Sequence, residues 1–152
     1  MGLTPARGLW EYERFATGSS VTFREGSLVQ FAGDRTLSEY SGGEPNFLGI
    51  ALHNSVNSLP SGYVTVAIPT SGNCTAFADM PTGLTASQLS LGESLGITKS
   101  GNTVSYITTG FTSSASRCVV VRGIPITSPV SRIEVGFITD MATYLSSISQ
   151  TI

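Results

Sequence analysis

The chain has 152 residues, which is enough for one domain with a substantial core and too short for two domains of ordinary size. Eight Lys and Arg against ten Asp and Glu give a formal charge of −2 without a basic cluster, which argues against nucleic acid as a partner. Only 12% of the residues are charged, while 17 Gly and 7 Pro supply turns, so the composition favours an all-β fold over a helical one.

Neither a membrane span nor a secretory leader is predicted. No apolar run approaches the roughly 20 residues that a membrane helix needs, and the first residues lack the apolar stretch of a signal peptide. We therefore expect no membrane partner and synthesis in the cytosol. Cys74 and Cys118 lie far apart in strand-like surroundings without a CxxC pattern, which favours buried thiols over a disulfide.

Residues 1–19 are predicted to form an N-terminal arm or an edge strand. Trp10 and Tyr12 alternate there with Glu11 and Glu13. This period of two is typical of a strand with one apolar face and one face in water.

Residues 20–152 are predicted to form a single β-domain. It begins with a hairpin in which residues 21–24 and 28–31 flank a turn at Glu25-Gly26. Residues 33–46 are polar and rich in Gly, Ser and Glu, so we expect a surface loop that buries little.

The middle of the chain predicts short strands separated by turns. Residues 47–52 form a continuous apolar run, which fits a strand buried on both faces. Val64, Val66 and Ile68 alternate with Thr and Ala in a further strand that Pro69 ends.

The second half of the chain continues this pattern. Residues 74–78 predict a strand, and the short turn before them predicts antiparallel pairing with the strand that Pro69 ends. Residues 82–100 contain several glycines, which weaken a helical interpretation. Further strands are predicted at 103–108, 117–124 and 132–138, and Asp140 can cap a short C-terminal helix. The total is eight to ten short strands, in a small antiparallel β-barrel or sandwich.

The residue types predict no catalytic residue, no metal ion and no cofactor. His53 is the only histidine, so a nucleophile–base–carboxylate triad has a single candidate base, and spacing does not select among Asp34, Asp79 and Asp140 as its carboxylate. One His and two distant Cys give no ligand cluster for a metal. Glu11 and Glu13 could form a glycosidase pair, but alternating acids on a strand are more simply a solvated face. No glycine-rich phosphate loop occurs.

A group of aromatic residues near the N-terminus is the candidate partner-binding site. It comprises Trp10, Tyr12, Arg14 and Phe15, which are residue types enriched at interface anchors. Two interpretations stay open. The aromatic side chains either cover one end of the core, or belong to an arm that docks on a neighbour and completes its sheet. If they form an arm, deleting residues 1–16 should leave a folded protein that no longer binds its partner.

A series of hydrophobic and glycine positions extends through the middle of the chain. It consists of a strand and turn over 21–31, then FLGIAL (47–52), SGYVTVAIP (61–69), LGESLGI (91–97) and NTVSY (102–106). Over roughly residues 20–110 this series resembles the small capsid decoration proteins of tailed bacteriophages, which are head-stabilising or cement proteins with a β-barrel fold. The polar segment 33–46 and the strands after residue 117 depart from the family pattern.

The resemblance implies a structural virion protein without enzymatic activity. Such a protein binds the major capsid protein on the outer surface of the phage capsid and stabilises the shell against the pressure of the packaged genome. The resemblance further implies self-association as a homotrimer. Two alternatives are kept: another phage structural β-protein, from the tail or a head fibre, and a carbohydrate-binding β-module.

Overall fold

The computed structural model shows a chain that consists mainly of β-strands. It describes residues 2–17, 23–31, 36–40, 47–55, 62–80, 88–98, 106–108, 117–124 and 132–137. The strands are Thr4–Pro5 (β1), Trp10–Ala16 (β2), Leu28–Phe31 (β3), Leu37–Glu39 (β4), Gly49–Ala51 (β5), Tyr63–Pro69 (β6), Thr75–Asp79 (β7), Ser94–Thr98 (β8), Tyr106–Thr108 (β9), Arg117–Gly123 (β10) and Arg132–Phe137 (β11). No α-helix occurs among these residues, and the helix predicted after Asp140 lies outside them.

The strands form two antiparallel sheets that pack as a sandwich. The six-stranded sheet has the order β1-β7-β11-β10-β8-β9, and the five-stranded sheet has the order β2-β6-β5-β3-β4. The predicted all-β fold is confirmed, and of the two architectures the chain adopts the sandwich, because neither sheet closes into a barrel. β1, β4 and β8 are strands beyond those predicted. The predicted hairpin of residues 21–24 with 28–31 is wrong in its described part, because residues 23–24 are not in a strand and β3 pairs with β4 and β5 instead.

The main core fills the space between the two sheets. Phe137 of β11 is central to it, since its ring centroid lies 5.9 Å from that of Trp10 and 5.0 Å from that of Phe47. The alternation predicted for β11 is confirmed, because Ile133, Val135 and Phe137 are all buried here. Aliphatic residues of both sheets complete this core: Leu28, Ile50, Ala67, Leu95, Ile97, Val119 and Val121.

A second core lies on the opposite face of the five-stranded sheet, which curls around it. Phe15 of β2 contacts Phe31 of β3 with ring centroids 5.2 Å apart, although two strands separate them in the sheet. Thr17, just past β2, forms an isolated parallel bridge with Leu37 of the far edge strand β4. One bridge is not a ladder, so the curl leaves the sheet open. The second core contains Phe23, Val29, Leu37, Leu48, Ala51, Val64, Val66 and Ile68.

Strand β5 is buried on both faces, as its continuous apolar sequence predicts. Ile50 belongs to the main core and Ala51 to the second core. Gly49 allows β5 to approach β6 closely, because a Cβ atom there would lie 2.2 Å from the carbonyl oxygen of Ala67. The five-stranded sheet therefore has a core on each of its two faces at β5.

The prediction of a polar surface loop over residues 33–46 is wrong for its central part. Residues 37–39 form β4, and the side chains of Leu37 and Tyr40 are fully buried. Leu37 packs into the second core, and Tyr40 packs into the main core against Phe47. Two isolated apolar residues in a polar segment thus cover one core each. Residues 33–35 and 41–46 lie outside the described residues.

The prediction that β6 and β7 pair as a hairpin is also wrong, because the chain crosses from one sheet to the other between them. Strand β6 pairs with β2 and β5, whereas β7 pairs with β1 and β11. The N-terminal segment crosses between the same sheets at the same place, and its strands β1 and β2 occupy the positions beside β7 and β6. The period of two locates a strand but does not identify its neighbour.

We predict that Leu37→Ala lowers the free energy of unfolding by about 2–4 kcal/mol, because the residue is a core contact rather than a loop residue. Urea denaturation measures this change. Leu91→Ala is the matched control, since Leu91 is 68% exposed and its truncation should change stability by less than about 0.5 kcal/mol. Equal effects of the two substitutions would contradict the described burial of Leu37.

Candidate interaction surface

The N-terminal aromatic group lies on an edge strand that is fully integrated into a sheet. Strand β2 pairs with β6 at seven consecutive positions, from Trp10 opposite Pro69 to Ala16 opposite Tyr63. Within the described ranges, β2 has β6 as its one neighbour in the five-stranded sheet. Deleting residues 1–16 would remove β1 and β2 together, so we no longer expect the truncated chain to fold.

Two of the four candidate residues contribute to the cores. Trp10 is 8% exposed, packs edge-on against Phe137, and donates a hydrogen bond from Nε1 to the carbonyl oxygen of Arg7 at 3.0 Å. Phe15 is half-buried and packs on the second core beside Phe31. Trp10 and Phe15 therefore cover the cores, as the first interpretation of the aromatic group expected, and do not belong to a separate docking arm.

The other two candidate residues face solvent. Tyr12 and Arg14 lie on the same face of β2 as Trp10, because side chains two apart on a strand share a face. Tyr12 is nevertheless 58% exposed, and Arg14 is exposed as well. One face of β2 is therefore core at its Trp10 end and surface from Tyr12 onward.

Tyr63 and Thr65 of β6 extend this exposed face. Arg14 lies directly opposite Thr65, and Tyr63, which is 46% exposed, lies opposite Ala16. Opposed residues of an antiparallel pair point to the same side, so we name Tyr12, Arg14, Tyr63 and Thr65 the β2–β6 ledge. Tyr12 and Tyr63 are four positions apart along the ladder, which separates their Cα atoms by about 13 Å.

Sequence reasoning did not identify Tyr63. The available signal was the alternation in β6, where Val64, Val66 and Ile68 form the apolar series and Tyr63 falls in the other series. That alternation could assign Tyr63 to the opposite face of the strand, but could not place it beside Tyr12. The pairing of β2 with β6 joins residues about fifty positions apart.

The other face of β2 carries acidic side chains. Glu11 and Glu13 are exposed, although they lie opposite Ile68 and Val66, which are buried in the second core. Charged side chains on an edge strand hinder its pairing with another strand. The edge of the sheet thus combines the ledge on one face with two carboxylates on the other.

A second group of charged residues attaches the N-terminal segment to the outer face of the six-stranded sheet. Arg7 Nε donates to Glu134 Oε2 at 2.5 Å, and the Thr75 hydroxyl donates to the same oxygen. Burial raises the pKa of Glu134, but these hydrogen bonds, together with the charges of Arg7 and Arg122, outweigh it, so the pKa lies below its ordinary value. The carboxylate is therefore held in its charged form.

Arg132 provides a second attachment of the same segment. Its Nη1 lies 3.0 Å from Asp79 Oδ1, and its Nη2 donates to the carbonyl oxygens of Gly2 at 2.9 Å and Phe77 at 3.0 Å. These contacts connect β1 to β7 and β11. Glu134 and Asp79 are thus each paired with an arginine, and both pairs hold the N-terminal segment to the six-stranded sheet.

The residues considered for chemistry are not brought together within the described part of the chain. His53 is half-buried in the bend after β5, whereas Asp79 is paired with Arg132 in the other sheet; Asp34 and Asp140 lie outside the described residues. No group of three or more His, Cys, Asp and Glu that could hold a metal ion occurs in these ranges.

Cys74 is a free buried thiol, as predicted, and its Sγ donates to the carbonyl oxygen of Leu9 at 3.1 Å. Cys118 lies in β10, but its side chain is not among those that the structure describes.

Comparison with known proteins gives no family assignment. No protein-family model matches the chain, and no curated protein is significantly similar to it. Within the residues that the structure describes, no helix is long and apolar enough to cross a membrane.

We predict that Glu134→Gln makes the free energy of unfolding less sensitive to acid. A carboxylate with a lowered native pKa stabilises the fold fully above the ordinary glutamate pKa of about 4.3, and this contribution is lost as the pH falls through the native value. Denaturant titrations from neutral pH to about pH 2 measure the effect. Glu25→Gln, in an exposed turn, is the control and should behave like the wild type. Parallel acid profiles for all three proteins would contradict the role of Glu134.

Proposed function

We propose that the protein is a non-enzymatic structural component of a tailed-phage virion, which binds the outer surface of the capsid and holds neighbouring capsid subunits together. The segments that carry the resemblance support this proposal, since three of them coincide with strands of the sandwich. Residues 47–52 contain β5, residues 61–69 contain β6, and residues 91–97 contain most of β8.

The observation that carries the proposal is the β2–β6 ledge. Tyr12, Arg14 and Tyr63 are exposed side chains of types that frequently anchor protein interfaces. The seven-residue ladder with β6 and the burial of Trp10 hold β2 in place, so little conformational entropy is lost when the ledge binds. The ledge is thus a preorganised contact surface rather than a flexible arm.

The proposed role is mechanical and depends on many weak contacts. An interface of ordinary size buries about 800 Å² on each partner, and hundreds of copies across the joints of a shell add their separate contributions. Self-association would increase the effective affinity further, because one bound subunit keeps its neighbours close to their sites. With a formal charge of only −2, attachment would rest on aromatic and hydrogen-bonding contacts more than on long-range attraction.

The second candidate function is carbohydrate binding, and the same ledge favours it. Two tyrosines on one sheet face, with an arginine and a threonine between them, form an aromatic platform with polar groups. A sugar ring can stack on such a platform, and a guanidinium can bind its hydroxyl groups. Binding on a glycan array would support carbohydrate binding, and the absence of binding would favour attachment to a capsid.

We predict that the purified protein binds expanded phage heads that lack it, and that Tyr12→Ala or Tyr63→Ala weakens binding at least tenfold. Each substitution removes an exposed aromatic contact, and a tenfold change corresponds to about 1.4 kcal/mol. Co-sedimentation with empty heads measures occupancy, and thermal melting confirms that each variant is folded. Leu91→Ala is the control, since it removes an exposed side chain outside the ledge.

Salt provides an independent test of the same interface. Binding should change little between about 50 and 300 mM NaCl, because attachment is not dominated by exposed charges. A wild-type protein that does not bind heads, or one that loses occupancy steeply with salt, would contradict the proposal. Full binding by both tyrosine variants would show that the ledge is not the surface that contacts the capsid.

A further inference from the structure

Among the strands that the structure describes, β2 is a seven-residue edge strand, with exposed side chains at four consecutive positions. An edge of this length is a template for pairing with a second copy of the same chain. Its sequence, WEYERFA, contains three charged residues, Glu11, Glu13 and Arg14. These charges determine which strand registers are compatible with self-pairing.

Two copies of β2 can meet antiparallel around a two-fold axis perpendicular to the sheet. This symmetry keeps the equivalent faces on the same side, so only residues with both even or both odd numbers can lie opposite each other. Three registers then pair more than three residues of the strand. They are centred on Tyr12, on Glu13 and on Arg14.

Every one of these registers places like charges directly opposite each other. The register centred on Tyr12 sets Glu11 against Glu13 twice, and the register centred on Arg14 sets the two copies of that arginine together. The register centred on Glu13 pairs all seven residues but places Glu13 against its own copy. Directly opposed like charges destabilise a strand pair.

We infer that the charge pattern of β2 excludes a second copy of the chain from this edge, and that Glu13 is the decisive residue. In the register centred on Glu13, the remaining contacts are compatible with pairing. Tyr12 lies opposite Arg14, which permits a cation–π contact, and Glu11 lies opposite Phe15. Any self-association of the native protein would therefore use a different surface, and the ledge beside this edge stays accessible.

The test is the substitution Glu13→Gln, which removes the charge and keeps the size of the side chain. Sedimentation equilibrium of the full chain should show a new dimerisation step in this variant, at least tenfold tighter than any in the wild type. Hydrogen exchange should show additional slow amides within β2 in that dimer. Glu25→Gln makes the same change of net charge in an exposed turn and should behave like the wild type.

Three results would overturn the inference. The first is a Glu13→Gln variant with the wild-type oligomeric state, confirmed as folded by its melting temperature. The second is association of that variant without additional amide protection in β2, which would assign the new contact to another surface. The third is a wild-type protein whose β2 amides are already protected by self-association.

Discussion

The fold depends on one corner where the chain passes twice between the two sheets. The N-terminal segment crosses at residues 8–9, and the connection from β6 to β7 crosses at residues 70–74. Ala6 N donates to the carbonyl oxygen of Thr75 at 2.8 Å, and Thr75 N donates to that of Arg7 at 2.9 Å. Gly8 has a φ of +93°, and a Cβ atom there would lie 2.6 Å from the Cα atom of Cys74. The two crossings are thus joined by hydrogen bonds and close backbone contact.

This corner determines where the candidate surface lies. It places β1 beside β7 in one sheet and β2 beside β6 in the other, so β2 becomes an edge strand. Near the corner Trp10 is covered by Phe137, and farther along the same face Tyr12 is exposed. The ledge is therefore a continuation of the core face of β2 rather than a separate element.

The local features of the fold could be predicted from the sequence, because they depend on short-range periodicity. The alternation in β11 and the apolar run of β5 are two such cases. The burial of Leu37 and Tyr40 could not be predicted, because both residues lie in a polar segment and their core contacts form only when distant strands come together. Tyr12 and Trp10 follow the same pattern in the sequence, and only the packing of the other sheet distinguishes them. The candidate site was thus half identified, with Tyr12 and Arg14 predicted and Tyr63 and Thr65 missed.

We propose that the ledge is the surface by which the protein attaches to a capsid. An electron cryomicroscopy reconstruction of heads decorated with the purified protein tests it most directly, since both sheets of the sandwich can be oriented in the density. The proposal predicts density for the protein on the outside of the shell, with Tyr12 and Tyr63 facing the capsid protein. Undecorated heads, or a bound protein whose ledge points into solvent, would contradict it.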